Sequence, residues 1–244
     1  LSSTGLRRAS MHLPDAGGKR LRPVTLLLSC EAAGGDAKKA LPAAVSVELI
    51  HNFTLVHDDI MDEDVMRRGV KTVHTKYGTP IAILAGDTLF SKAFEILHLA
   101  KSSPERIARS GYLLARACTE ICEGQYLDMS FEHRKRVTEA EYMEMVGKKT
   151  GALYAASSAI GALLGGGTEA EVSSFERFGR LIGTAFQIHD DVLGLTASEK
   201  ILGKSKGSDL VRGKKTLVVI HAKRRLGWTP PCRTEEDVEK AIDK

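Results

Sequence analysis

Apolar residues recur at three- and four-residue intervals along most of this chain, which is the spacing of one face of an amphipathic helix. The pattern predicts helices over Leu21–Ala33, Leu41 to about Met66, Pro80 to about Lys101, Pro104 to about Phe131, Ser173–Leu195 and Lys214–Leu226. No alternating apolar and polar run is long enough to predict a strand. The chain is therefore predicted to be all-α, without an internal repeat.

Glycine and capping residues mark where these helices start and stop. The glycine pair at 34–35 closes the first predicted helix, and the glycine run at 165–167 is the clearest stop inside the chain. Thr138 and Glu141 have the spacing of a capping box, so they predict the start of a further helix.

The last residues break this pattern. Residues 228–233 contain two adjacent prolines and predict a loop, or a join where residues are missing. Residues 235–244 predict a charged surface helix that normally continues. We expect a single domain over residues 1–244 that lacks N-terminal and C-terminal segments.

The composition narrows the classes of protein that fit. With 244 residues and 43% hydrophobic content, the chain is long enough for one sizeable core. The net charge is +4 and the basic residues are scattered, so no nucleic-acid partner is expected. No apolar run approaches the roughly 20 residues of a membrane span. We therefore do not expect an integral membrane protein.

The cysteines indicate a reducing compartment. Cys30, Cys118, Cys122 and Cys232 form no CxxC pair and predict no disulfide framework. Cys118 and Cys122 share a helix face, where ordinary packing is favoured over metal binding. No signal peptide is visible, so a cytoplasmic location is the expectation.

The strongest chemical signal is the segment HDDIMD at residues 57–62, which ends an apolar helical stretch. Asp58 and Asp62 are four residues apart, so on a helix they share a face about 6 Å apart along the axis. Like charges at that spacing repel, and a bound cation would offset the repulsion. Carboxylate oxygens suit Mg²⁺, which bridges to substrate phosphates. The alternative is an acidic, solvated helix end.

A second acidic pair ends another long apolar helix, in the segment FQIHDD at residues 186–191. Two such pairs favour a shared function over chance. If the two helices face each other, their carboxylates can hold several metal ions around one diphosphate.

Basic residues near glycines complete the pattern. The segment GGKRLRP at residues 17–23 places flexible backbone and cations just before a helix, which suits a phosphate. Further basic groups follow at Arg67-Arg68, at Lys148-Lys149 and at Lys214-Lys215. Each group alone is more often a surface charge.

Together these motifs resemble the trans-prenyl diphosphate synthase family, closest to its short-chain archaeal type. The resemblance runs from about Leu6 to Leu226 and rests on GGKRLRP, DDIMD followed by RRG, EGQYLD, KKTG, FQIHDD, LGKSKGSD and GKKT, in the family's order. It implies a bundle of antiparallel helices around a deep apolar cavity. It also implies a homodimer that joins isopentenyl diphosphate to an allylic diphosphate (dimethylallyl, geranyl or farnesyl).

The resemblance also implies roles for particular residues. It assigns about three Mg²⁺ ions, for which Mn²⁺ can substitute, to Asp58, Asp62 and Asp190, with support from Asp59 and Asp191. It assigns the allylic diphosphate to Arg67, Lys149, Gln187, Lys204 and Lys214. It assigns isopentenyl diphosphate to Lys19, Arg22, His51 and Arg68, and a polar pair lining the cavity to Gln125 and Asp128. Catalysis would rest on Asp58, Asp62, Arg67, Lys149 and Lys204.

One departure from the family pattern concerns the second acidic motif. The motif often ends in a third aspartate, whereas this chain has Gly194 there. The departure puts a third ligand from that motif in doubt.

Two other functions remain open at this point. A terpene cyclase also uses an aspartate-rich helix and magnesium, but it takes one diphosphate and has no need of a second basic pocket. A catalytically silent partner subunit typically loses an aspartate motif, and this chain has both.

Phe53 and Thr54 are the residues expected to set product length. They precede Asp58 by five and four positions, about one helical turn of 5.4 Å. An isoprene unit is roughly as long, so bulk there can stop chain growth. One aromatic at the position of Phe53 resembles synthases that make geranylgeranyl diphosphate. Farnesyl diphosphate is the nearest alternative, and Phe53 packing in the core without a role in length is the other.

Overall fold

The all-α class predicted from the sequence is confirmed by a computed structural model, which describes residues 2–196 and 213–226. The helices in these ranges are α1 (Thr4–Asp15), α2 (Leu21–Ala32), α3 (Ala37–Met61), α4 (Val73–Tyr77), α5 (Thr79–Leu97), α6 (Pro104–Glu132), α7 (Glu139–Val146), α8 (Ala152–Gly165), α9 (Glu169–Thr196) and α10 (Leu217–Leu226). A single π-helical turn, Gly147–Gly151, lies between α7 and α8. A short hairpin, β1 (Met66–Arg67) and β2 (Val70–Lys71), follows α3.

Several helix boundaries match their sequence signals. α5 begins at Thr79 with Pro80 in its first turn, where proline's missing N–H costs nothing. The capping box predicted from Thr138 and Glu141 is present at the start of α7. α8 ends at Gly165, where the glycine run was expected to stop a helix.

The prediction for α3 was wrong at both ends. The helix begins at Ala37 because Asp36 caps it, accepting a hydrogen bond from the Lys38 N–H at 2.9 Å. It ends at Met61, short of Met66, because Glu63 takes a positive φ of 54° that no helix interior accepts.

One short hairpin accompanies the helices, although the sequence shows no alternating run long enough to predict a strand. Met66 pairs with Lys71 and Arg67 with Val70. Both central residues of the turn, Arg68 and Gly69, have positive φ, as the tight two-residue hairpin turn requires. Two-residue strands are too short to show an alternating pattern, which is why the sequence pattern missed them.

The first of two compact units comprises residues 1–118 and 153–179. Within it α3 packs against α2 and α5. Its core includes Leu13, Val56, Val73 and Leu89, all fully or almost fully buried.

Glycines let α8 approach α2 closely in the same unit. A Cβ on Gly161 would lie 2.1 Å from the Leu26 carbonyl oxygen, and one on Gly165 would lie 2.4 Å from that of Cys30. The helices therefore pack backbone against backbone at these two points, and any larger residue would force them apart.

The second unit comprises residues 119–152 and 180–244, of which the structure describes residues up to 196 and from 213 to 226. A cluster formed by Phe131, Val137, Tyr142 and Met145, with Val146, makes its core. Leu127, Ile188, Leu217 and Ile220 pack against this cluster. The cluster therefore packs α7 against α6, α9 and α10 within this unit.

Candidate active site

The first acidic motif lies at the C-terminal end of α3. Asp58 is on the last turn, and Asp62 caps the helix, donating its backbone N–H to the Asp58 carbonyl at 2.7 Å. The side chains of both are half-buried. The C-terminal end of a helix is its negative pole, so carboxylates there raise the local negative potential further. A cation at this helix end is therefore electrostatically favoured.

Asp59, between these two residues, is in a different environment. It is fully buried, and its Oδ1 accepts a hydrogen bond from Nε of Arg67. Burial raises the pKa of Asp59 to about 6, although the Arg67 charge and hydrogen bond oppose the rise. Its Oδ2 is buried and has no hydrogen-bond partner among the residues that the structure describes. Asp59 thus fixes Arg67 beside the acidic motif.

The hairpin after α3 directs two neighbouring arginines to different partners. Arg67, in β1, reaches back to Asp59 and lies 3.4 Å from a carboxylate oxygen of Asp64. Arg68, in the turn, donates from Nη1 to the carbonyl oxygens of Leu13 and Gly17. The sequence assigned the two arginines to two different diphosphates, and the hairpin provides the geometry for such a division.

The glycine-rich segment before α2 packs directly on Arg68. Gly18 has φ of +141°, and a Cβ there would lie 3.0 Å from the guanidinium carbon of Arg68. Gly17 also has positive φ, at +96°. Two glycines are therefore required for this loop to approach the arginine, and the loop presents Lys19 in an exposed position.

Arg22 on α2 and His51 on α3 contact each other. Nη1 of Arg22 lies 3.3 Å from Nε2 of His51, and its guanidinium stacks 4.6 Å from the centre of the Tyr154 ring. Burial, followed by the charges of Arg22 and other arginines including Arg68, lowers the pKa of His51 well below its usual 6.5. Since arginine only donates, neutral His51 accepts at Nε2 and carries its proton on Nδ1.

The four residues predicted to bind isopentenyl diphosphate lie in the same compact unit. Lys19, Arg22, His51 and Arg68 all belong to the first unit. The charges of Arg22 and Arg68 both act on His51, so the three side chains share one electrostatic environment. Arg22 and Arg68 are half-buried.

Three residues of this region were not predicted as functional: Arg20, Glu48 and Asn52. Arg20 takes φ of 52° and donates to the Glu48 carboxylate, and Asn52 lies one turn after Glu48 on α3. The sequence offered one signal for this group: a Glu and an Asn stand four residues apart on a mostly apolar helix, and so on one face of it.

In the second unit, the π-helical turn presents Lys149. Its Nζ lies 2.6 Å from Oδ2 of Asp128, and Nζ of Lys214 lies 4.0 Å from the same oxygen. A Cβ on Gly124 would lie 2.3 Å from the Lys149 backbone nitrogen, so only glycine allows α6 and this turn to meet. Single π-turns are frequent at functional sites. The turn thus places Lys149 beside the Asp128 carboxylate, and Lys214 reaches the same carboxylate from the segment before α10.

The second acidic pair divides into an exposed residue and a bound one. Asp190 is exposed, while Asp191 is half-buried. Oδ2 of Asp191 accepts from the Tyr142 hydroxyl at 2.6 Å, and Oδ1 accepts from Nε2 of Gln187 at 2.9 Å. Oε1 of Gln187 accepts a hydrogen bond from the Thr150 hydroxyl at 2.8 Å. Tyr142 and Thr150 were not predicted, and only the structure reveals them.

A cavity of about 120 Å³ joins these groups within the second unit. Its walls include Asp128, Tyr142, Lys149, Gln187, Asp191 and Lys214. The lining combines three lysines, Lys149, Lys214 and Lys215, with the carboxylates of Asp128 and Asp191. The second unit therefore places the predicted allylic diphosphate residues Lys149, Gln187 and Lys214 around one polar cavity.

Gln125 and Asp128, the predicted polar pair, lie in different environments. Asp128 lines the cavity and pairs with Lys149. Gln125 is 6% exposed, and neither atom of its amide has a hydrogen-bond partner within the described part of the chain. Gln125 is not among the residues that line this cavity.

The predicted length-setting residues lie in an aromatic row between α3 and α5. Phe53 contacts His57 and Phe90 edge-on, at centroid distances of 4.9 and 5.2 Å, and Phe90 contacts Phe94 at 5.1 Å. The Thr54 hydroxyl donates to the His51 carbonyl at 2.8 Å, which satisfies it within the helix. Phe53 also packs against the core of the first unit, so a packing role is compatible with the same contacts.

Some predicted residues contribute nothing further to the geometry. Lys204 lies outside the described residues, as do Cys232 and the C-terminal segments at 228–233 and 235–244. Gly194 is buried on α9.

In residues 2–196 and 213–226, no group of three or more His, Cys, Asp and Glu side chains forms a ready-made metal site. Nor does any helix there combine the length and apolar content needed to cross a membrane.

Comparison with known proteins places the chain in a well-populated group. The polyprenyl synthetase family model matches residues 3–230. A geranylgeranyl diphosphate synthase of Methanosarcina mazei is 59% identical over 217 residues, covering 89% of this chain and 67% of that protein. A geranylfarnesyl diphosphate synthase of Natronomonas pharaonis is 50% identical over 234 residues, covering 89% of this chain and 69% of that protein.

Solved structures agree with the sequence matches. A geranylgeranyl pyrophosphate synthetase from Geoglobus acetivorans superposes with a TM-score of 0.92 at 52% identity, covering all of this chain and 78% of that one. The counterpart from Pyrococcus horikoshii gives 0.86 at 49% identity, covering 98% of this chain and 71% of that one. This chain thus spans about two thirds to three quarters of the length of these similar proteins.

Proposed function

Because the chain belongs to the polyprenyl synthetase family, a family of prenyltransferases, we propose that it condenses isopentenyl diphosphate with an allylic diphosphate and releases diphosphate. The product we propose is geranylgeranyl diphosphate, the compound named for relatives that are 58% and 59% identical.

The observation that carries this proposal is the arrangement of charges along α3. Asp58 and Asp62 lie at the C-terminal end of the helix. Two turns earlier the helix carries His51, which contacts Arg22. Seven residues correspond to about 10 Å along a helix axis. One helix of the first unit thus carries both a cation-attracting end and a separate group suited to a second anion, as a reaction between two diphosphates requires.

The acidic motif fits a divalent metal by the chemistry of its donors. Asp58 and Asp62 offer hard carboxylate oxygens at the negative end of a helix dipole. We propose that they and Asp190 hold the magnesium ions. When bound, the metal would neutralise charge that develops on the leaving diphosphate oxygens. Asp59 and Asp191 support this site by fixing Arg67 and Gln187, respectively.

The chain's own residues perform the remaining tasks. Arg67, Lys149, Lys204 and Lys214, with Gln187, bind the allylic diphosphate and stabilise its charge as the C–O bond breaks. Lys19, Arg22, His51 and Arg68 hold isopentenyl diphosphate so that its double bond attacks the resulting carbocation. Apolar walls exclude the water that would quench the cation.

The proton lost in the last step goes to the departing diphosphate in this scheme. Among the described residues, His51 is neutral but already accepts a hydrogen bond from Arg22. It is therefore a binding residue here and not the base.

The two rival functions are less well supported. A terpene cyclase takes one diphosphate and has no use for the set formed by Lys19, Arg22 and Arg68. A silent partner subunit typically loses an aspartate motif. Here the first motif is intact, and its Asp59 is buried against Arg67. Both rivals nevertheless make distinct predictions for product analysis.

Three finer points remain part of the proposal. Relatives carry names for both geranylgeranyl and geranylfarnesyl products, so product length is inferred from Phe53 and Thr54. Farnesyl diphosphate is the alternative. A homodimer is proposed from the family resemblance, and a cytoplasmic location from the cysteine pattern.

Product analysis tests the proposal. Purified protein is incubated with Mg²⁺, labelled isopentenyl diphosphate and dimethylallyl, geranyl or farnesyl diphosphate, and the products are separated by chromatography. The proposal predicts labelled geranylgeranyl diphosphate. Hydrocarbon products formed from the allylic substrate alone would indicate a cyclase, and no product without a partner protein would indicate a silent subunit.

A further inference from the structure

We propose that Asn52 is a positioning residue that orients the guanidinium of Arg68 toward isopentenyl diphosphate, an inference that rests on the proposed function. Asn52 is fully buried on α3. Its Nδ2 donates to the Glu48 carbonyl at 2.8 Å and to the Glu48 carboxylate at 3.0 Å. Its Oδ1 accepts from Nη1 of Arg68 at 3.1 Å. One amide thus joins an anion to a cation.

The contacts continue beyond Asn52 into a chain of four side chains. The Glu48 carboxylate also accepts a hydrogen bond from Nη1 of Arg20, whose Nη2 donates to the Pro14 carbonyl at 2.7 Å. At the other end Arg68 donates to the Gly17 carbonyl. Both ends of the chain therefore hold the segment that precedes α2 and presents Lys19. Asn52 lies at the centre of this chain.

The side-chain amide suits this position for a chemical reason. It provides a donor for Glu48 and an acceptor for Arg68 in the same group. A carboxylate at position 52 would offer Glu48 no donor, and it would compete with a substrate diphosphate for the guanidinium. An aliphatic side chain would leave buried donors and acceptors unsatisfied. The neutral amide orients Arg68 without neutralising it.

The electrostatics of Arg68 agree with this arrangement. Burial lowers the pKa of Arg68, and the nearby Glu48 charge acts in the opposite direction. The Glu48 charge thus acts on Arg68 although the two residues are joined through the amide of Asn52 in the chain described above.

An isosteric pair of variants tests the inference. Asn52→Val and Asn52→Thr have nearly the same shape, but only threonine keeps a group that both donates and accepts. We expect Asn52→Val to raise the KM for isopentenyl diphosphate by about tenfold, and Asn52→Thr by less than about threefold. The KM for the allylic substrate should change by less than about threefold in both variants. Asn52→Asp should raise the KM for isopentenyl diphosphate because its charge competes with the substrate.

The outcomes separate this inference from the proposed function. A folded Asn52→Val variant with an unchanged KM for isopentenyl diphosphate, or with equal increases for both substrates, would overturn the positioning role. If Asn52→Val does not fold, Asn52→Asp is measured in its place. An unchanged KM for isopentenyl diphosphate, or equal increases for both substrates, would again overturn the positioning role. If none of the three variants folds, Asn52 acts in folding and the inference is overturned. A wild-type protein that incorporates no isopentenyl diphosphate contradicts the proposed function instead.

Discussion

The hydroxyl of Tyr142 donates a hydrogen bond to Oδ2 of Asp191 over 2.6 Å, and Gln187 binds the other carboxylate oxygen over 2.9 Å. Tyr142 is buried, and burial together with the Asp191 charge raises the pKa of its hydroxyl, which therefore stays protonated and donates. Both oxygens of Asp191 are engaged within the second unit. We infer that Asp191 acts by fixing Gln187, whereas the exposed Asp190 is the partner for a metal.

Replacing Tyr142 tests this division. Tyr142→Phe keeps the ring but removes the hydrogen bond, leaving a carboxylate oxygen of Asp191 without that donor. Because hydrogen bonds to charged groups contribute about 1.5–3 kcal/mol, we expect kcat/KM for the allylic substrate to fall roughly tenfold or more. The control is Tyr112→Phe, at an exposed tyrosine. Unchanged allylic kinetics in a folded Tyr142→Phe variant would show that Gln187 needs no such support.

His51 predicts a specific dependence of stability on pH. Its pKa is lowered well below 6.5 in the folded protein, so below that pH the unfolded chain binds more protons than the folded one. The free energy of unfolding therefore falls as the pH is lowered from about 7 to about 5. His51→Gln should lose less stability over this range than the wild type.

Chemical denaturation at several pH values measures this difference. His133→Gln is the matched control, since His133 is exposed. If wild type and His51→Gln lose stability in parallel on acidification, His51 is not the neutral, desolvated residue described above.

Much of the fold could be predicted from sequence because helix signals are local. Pro80, the Thr138–Glu141 capping box and Gly165 each set a boundary through the chemistry of a few neighbouring residues. The hairpin at Arg67 and Arg68 could not be predicted in that way. Its strands contain two residues each, and its turn depends on contacts between Arg68 and the distant Gly17.

The candidate site divides along similar lines. Asp58, Asp62 and the arginines were predictable because the motif and its chemistry are contiguous in sequence. Tyr142 and Thr150 were not, because their roles come from partners 49 and 37 residues away. The different environments of Asp58 and Asp59 also required the structure, since burial next to Arg67 is a property of packing.

The two proposed diphosphate sites should respond separately to substitution. Arg22→Ala removes the group that contacts His51 and Tyr154, so the KM for isopentenyl diphosphate should rise about tenfold or more. Lys149→Ala should instead impair the allylic substrate by a similar factor. Lys148→Ala is the matched control, because the neighbouring Lys148 pairs with Glu123 and Glu144. An effect of Arg22→Ala confined to the allylic substrate would reverse the assignment.

Phe53 and Thr54 should set product length. Phe53→Ala removes a ring from the row formed with His57 and Phe90, which should open space for longer products. Thr54→Phe adds bulk one position away and should shorten them. Phe178→Ala, at a half-exposed phenylalanine, is the control. A folded, active Phe53→Ala variant with an unchanged product distribution would leave Phe53 with a packing role only.

The most direct test of the central claim is the initial rate at which labelled isopentenyl diphosphate enters prenyl product with farnesyl diphosphate as primer. The rate is measured with Mg²⁺ and with excess EDTA, for wild type, Asp58→Asn and the surface control Glu95→Gln. We predict transfer by wild type and by Glu95→Gln with Mg²⁺, none in EDTA, and a loss of about a thousandfold or more in Asp58→Asn. Near-normal transfer in EDTA or by Asp58→Asn would contradict this prediction.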